Sequence, residues 1–192
     1  MHAFDYVIVL FSFVYAAAIT HVLGTVGDLI AAGRRVKLSW LNLGWMLNAL
    51  LSILAWWLAT WELHQMRVWD SPFIIFNFTM ACALYIIVRL TCPRVPVRGA
   101  VDLPVFHRTQ GRKYLVANAI FGAVAMSYNA IFDLSSGGAY FLRQDIAILP
   151  MILASAAAAI FIHRPRVQPV CLLLVFAAWT LYFAKFQGVL TG

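Results

Sequence analysis

The stretch YVIVLFSFVYAAAITHVLGTVGDLIAAGRRVK, residues 6–37, decides the fold class. From Tyr6 to Ala32 it is apolar enough, and longer than the roughly 20 residues a helix needs to cross a hydrocarbon core of about 30 Å. Its apolar residues do not alternate with polar ones, so it is not a barrel strand. Without water to satisfy the backbone, a helix is the remaining solution. The run closes on Gly33, Arg34 and Arg35, a glycine stop followed by basic residues suited to lipid headgroups. The only charged or imidazole side chains within it are His21 and Asp28.

Five more apolar runs follow, at about 38–61, 72–90, 113–134, 146–163 and 169–186. Across the 192 residues 64% are apolar and 11% charged, against roughly 25% charged in a soluble domain. The expected fold is therefore all-α: a polytopic membrane protein whose single domain, 1–192, is a bundle of six transmembrane helices. The N-terminus lacks the basic residues of a secretory signal, and its apolar run is too long for one. The first run is expected to be retained as a membrane helix.

Most of the 14 Lys and Arg fall in three links: GRRVK after the first run, CPRVPVRGAVDLPVFHRTQGRK after the third and HRPRVQP after the fifth. The links after the second and fourth runs carry one Arg each and several acids. The positive-inside rule then puts the three basic links in the cytoplasm and both termini outside, in the periplasm if the membrane is a bacterial inner membrane. The long basic link, 93–112, is expected to lie on anionic headgroups, with Arg94, Arg98, Arg108, Arg112 and Lys113 as its lipid contacts. The net charge of +7 is placed at the membrane surface and not along a nucleic-acid groove.

Projected at 100° per residue, Ala17, His21, Gly24 and Asp28 share one face of the first helix, with Thr25 beside them. A face of small and polar groups is expected to meet protein or a cavity, not lipid. Counted from the ends of its run, His21 lies near the bilayer midplane. Asn118, Gly122, Ala125 and Asn129 repeat the pattern in the fourth run, and Trp45, Asn48 and Ser52 in the second. His21, Asp28, Asn48, Asn118 and Asn129 are thus the candidate pore, proton-handling or packing residues. Cys82, Cys92 and Cys171 have no metal-ligand spacing and read as small apolar thiols. No HExxH, GxSxG or P-loop pattern occurs, so no catalytic residue, metal or cofactor is assigned.

FSFVYAAAIT, residues 11–20, is similar to the first helix of the small six-helix bacterial and lysosomal potassium channels, which carry Phe-Ser-Asp before an Ala-Ile-Thr-like run. Phe11, Ser12, Ala18, Ile19 and Thr20 carry the likeness, while Phe13 stands where that family has aspartate. It covers about ten residues, and the chain is not assigned to the family on it. The first functional expectation is a channel or transporter for protons, ions or a small solute through a polar bundle interior. The alternative is an accessory or scaffolding subunit of a larger membrane complex, or a homo-oligomer. A lipid-acting enzyme gripping headgroups with the basic link comes third.

Overall fold

The structure, a computed structural model, describes residues 3–62, 69–136 and 140–186, and side chains within 4–60, 69–131 and 146–185. Six α-helices dominate it: α1 (Ala3–Ala32), α2 (Trp40–Glu62), α3 (Ser71–Thr91), α4 (Leu103–Ser136), α5 (Tyr140–Ile160) and α6 (Val167–Phe186). The all-α class is as the sequence dictates. Five of them, α1 to α4 and α6, are long and apolar enough to cross a membrane. The apolar stretch described in α5, Ile146–Ile160, is shorter. The helix itself starts earlier, at Tyr140, and takes the polar residues Arg143, Gln144 and Asp145 into its first turns. Pro150 lies inside α5.

The chain divides into two compact units, Met1–Pro104 and Val105–Gly192. In the first, α1 and α3 run parallel in a fixed register. The rings of Phe4 and Trp69 lie 5.9 Å apart, and those of Phe11 and Phe78 lie 6.4 Å apart. Arg89 Nη1 lies 3.3 Å from His21 Nδ1, and Thr25 sits against the Cys92 thiol. Each pair has nearly the same sequence offset, so the two helices keep step along the whole of α3. The Asn42 amide at the start of α2 donates to the Thr91 carbonyl at the end of α3 (3.4 Å), which makes α2 antiparallel to both. Phe11, Tyr15, Ala18, Met46, Ala49, Ile53, Ala81 and Val88 form the dry centre.

The element ends follow local chemistry. The Asp70 carboxylate accepts from the Phe73 amide (2.9 Å), with Pro72 in the first turn, where a missing N–H costs nothing. Asp70→Ala is expected to cost about 1 kcal/mol, read as a small fall in melting temperature with an unchanged helical signal. Gly33 ends α1 at φ +52°, the left-handed stop its position in GRRVK implies.

Beyond Gly33 the structure departs from a free basic link. A two-residue strand β1 (Val36–Lys37) pairs in parallel with β2 (Val101–Asp102), Val36 opposite Val101. Arg35 Nη1 reaches the carbonyls of Val97 (3.0 Å), Gly99 (3.3 Å) and Pro96 (3.5 Å). Lys37 and Asp102 close the pair with an exposed ion pair at 3.4 Å. The segment before α4 is thus pinned to the exit of α1. α4 itself starts at Leu103, ten residues ahead of the expected Lys113, so residues 103–112 are helical.

In the second unit α4 and α5 are antiparallel. A Cβ added to Gly122 would meet Ile152 Cγ1 at 2.6 Å, and one added to Gly111 would meet Ile162 Cδ1 at 2.9 Å. α5 and α6 form a tight hairpin, with Arg164 N–H donating to the Phe161 carbonyl (2.8 Å) and Val167 N–H to the Arg164 carbonyl (3.1 Å). Ala154, Ser155, Ala158 and Ala159 on α5 are buried, as are Leu172, Val175 and Ala178 on α6. Small residues on one helix let the other approach closely.

Candidate functional site

The α1–α3 register fixes the depth of His21. The 21 residues of α3 rise about 31 Å, close to the full hydrocarbon thickness. The residue of α1 level with the middle of α3 is then Val14, not Ile19. His21 lies about seven residues, or roughly 10 Å, towards the basic end. The middle of the α1 run is offset from the middle of α3 because α1 extends about two turns past the end of α3. Asp28 belongs to that extension and is exposed. It sits where a carboxylate can stay hydrated.

The stripe itself is not covered. Ala16, Ala17, Thr20, Gly24, Gly27, Asp28 and Ala31 are all exposed, and nothing lies within 4 Å of a Cβ placed on Gly24 or Gly27. Within the first unit, then, no side chain covers this face. Towards the other end of the same face the side chains are large: Tyr6, Val9, Leu10 and Phe13. Thr25, at the stripe's edge, is buried, and its hydroxyl donates to the His21 carbonyl (2.9 Å). His21 is half-buried at the same edge, turned towards α3. Arg89 Nη1 is 3.3 Å from one of its ring nitrogens and 3.4 Å from the other.

The remaining stripes are largely bonded to their own helices. Asn48 is buried, and its backbone carbonyl accepts from the Ser52 hydroxyl (2.9 Å). The Asn118 amide donates to the Tyr114 carbonyl (2.8 Å), and the Asn77 amide to that of Phe73 (3.0 Å). Asn129 is half-buried. Gly122, on the face of Asn118, packs against Ile152 of α5, as a close helix contact requires. Arg94, Arg98, Arg108, Arg112 and Lys113 are all exposed. The last three project from the first turns of α4, not from a loop.

The sequence reading left out one polar cluster. His107, assigned there to the surface link, is 3% exposed, with Tyr114 at 0% and Gln168 at 2%. The Gln168 amide nitrogen donates to the carbonyls of Ala158 (2.8 Å) and Phe161 (3.1 Å) at the end of α5. Its oxygen therefore faces His107 Nε2 at 3.1 Å and accepts that N–H. This leaves His107 Nδ1 as the acceptor of the Tyr114 hydroxyl proton. Every donor finds an acceptor, and the first turns of α4 are tied to the α5–α6 corner. His107 and Tyr114 are seven residues apart, two turns on one helical face, so the pair was legible once helix is allowed before Lys113.

Among the described residues no three His, Cys, Asp or Glu side chains gather into a metal-binding group. The fold and these polar positions define a multi-pass integral membrane protein of the all-α class. Set against protein-family models, curated proteins and solved structures, the chain matches none.

Proposed function

We propose that this protein is an accessory or scaffolding subunit that receives a transmembrane helix of a larger membrane complex on the exposed face of α1. The observation that carries this reading is the change of residue size along that face. It is built of Tyr6, Val9, Leu10 and Phe13 at one end and of Ala16, Thr20, Gly24, Gly27 and Ala31 at the other, with open space above both glycines. Lipid is met well by large apolar side chains; small residues at this spacing let a second backbone approach. The charge asymmetry puts the basic ends of the helices in the cytoplasm and both termini on the far side, which is the periplasm for the bacterial inner membrane proposed here.

The test is assembly state. In mild detergent the wild type should migrate as a complex larger than the 21.5 kDa chain. Gly24→Leu should release it as a monomer that keeps its helical signal, because the added side chain meets nothing within the first unit. A wild type that is already monomeric in native membranes sinks the proposal.

Conduction of protons, ions or a small solute is the second reading. It is favoured by Tyr15, whose hydroxyl is buried in the first unit and has no hydrogen-bond partner there. Flux through proteoliposomes that survives Gly24→Leu would put it first.

A further inference from the structure

We propose that Arg89, oriented by His21, holds the phosphate of an anionic phospholipid at the basic end of α3. The proposal rests on the multi-pass membrane reading and is independent of whether α1 docks a partner helix.

Arg89 is an exposed cation in the last turn of a membrane-spanning helix. Its nearest polar group is the neutral-capable imidazole of His21, at nearly equal distances from both ring nitrogens. An in-plane hydrogen bond would favour one nitrogen, so Nη1 lies against the ring as a whole. That contact orients the guanidinium without using up its fork. No carboxylate lies within ion-pair distance of Arg89: among the described residues the ion pair present is Lys37 with Asp102. A cation at the edge of the hydrocarbon must find an anion or water. Arg89 lies two residues, about half a turn, inside the end of α3, within side-chain reach of the phosphate layer, and a guanidinium fork matches two phosphate oxygens.

The surface leading to it suits an acyl chain. Ile75, Thr79, Cys82, Ile86 and Arg89 follow one another at helical spacing along one face of α3, and Ile75 and Ile86 are 64% and 55% exposed. This gives an apolar strip of roughly 20 Å that ends on a positive charge, the outline of a phospholipid lying along the helix. The shared chemistry is a phosphate oxyanion, and only the lipid source uses the strip.

The experiment is native mass spectrometry of the full chain in detergent with dioleoylphosphatidylglycerol, using dioleoylphosphatidylcholine as background and inorganic phosphate as competitor. Phosphatidylglycerol should bind above background, about tenfold more weakly in Arg89→Gln, and several-fold more weakly in His21→Leu. Inorganic phosphate should not displace it. If Arg89→Gln does not stay folded, Arg89→Lys decides, because it keeps the charge and loses the fork; several-fold weaker binding is expected. Wild-type affinity in the Arg89 variant overturns the proposal. Displacement by inorganic phosphate overturns the lipid as source and leaves a site for a soluble anion.

Discussion

His107→Leu should lower the melting temperature of the detergent-solubilised protein by about 6–12 °C, a loss of about 3 kcal/mol at 2–4 °C per kcal/mol for a chain of this size. The leucine fills the space but takes the imidazole partner from two buried polar atoms, the Tyr114 hydroxyl and the Gln168 amide oxygen. Both residues are almost wholly buried, so water cannot replace the lost partner without disturbing the α5–α6 corner. Gln168 is also bonded to the Ala158 and Phe161 carbonyls, so the damage should spread to the end of α5. Tyr114→Phe removes only one donor and should cost less, about 1 kcal/mol. Scanning calorimetry or tryptophan fluorescence on the three proteins checks the order. If His107→Leu melts with the wild type, the network contributes no stability and His107 is open to another role.

The position of His107 shows why some of the architecture was readable and some was not. Membrane helices announce themselves by composition, because lipid penalises nearly every polar side chain on a lipid-facing surface. Hence α1, α2, α3 and α6 fall close to their expected ranges. The start of α4 does not, because residues 103–112 are at the basic end of the unit, where charge is tolerated and hydropathy carries no signal. A local signal was present: Asp102-Leu103-Pro104 repeats the pattern of Asp70-Ser71-Pro72, which starts α3. The register of α1 against α3 is hidden from hydropathy for a related reason. The α1 run is longer than the membrane, and only its register with α3 shows that the excess lies beyond Thr25. Arg89 was hidden by lying at the end of an apolar run, and its contact with His21 joins residues 68 apart in sequence. Pairing of β1 with β2 could not be foreseen from two residues on each side.

Gly122→Val should be the second strongly destabilising change, and its cause can be separated from a general intolerance of side chains on glycine. A Cβ at this position would stand 2.6 Å from Ile152 Cγ1 and 3.3 Å from its Cδ1. The nearer atom is close to the backbone of α5, so a rotamer change does not clear it and the two helices must move apart. Overpacking of this kind costs about 1–3 kcal/mol. In the partner-free chain Gly24→Val supplies the control, since the same helix-propensity change occurs there with nothing within 4 Å. Ile152→Ala removes the obstructing atoms, so the double variant Gly122→Val, Ile152→Ala should be more stable than the two single effects predict, by 1 kcal/mol or so. Additive losses would mean that α4 and α5 do not meet at Gly122, and the small residues of the Asn118 face would then be free for another partner. Coupling of the expected sign fixes Gly122 as the point where α4 rests on α5. The stripe of the fourth run is then spent inside the second unit, unlike the stripe of α1, which no residue of the first unit covers.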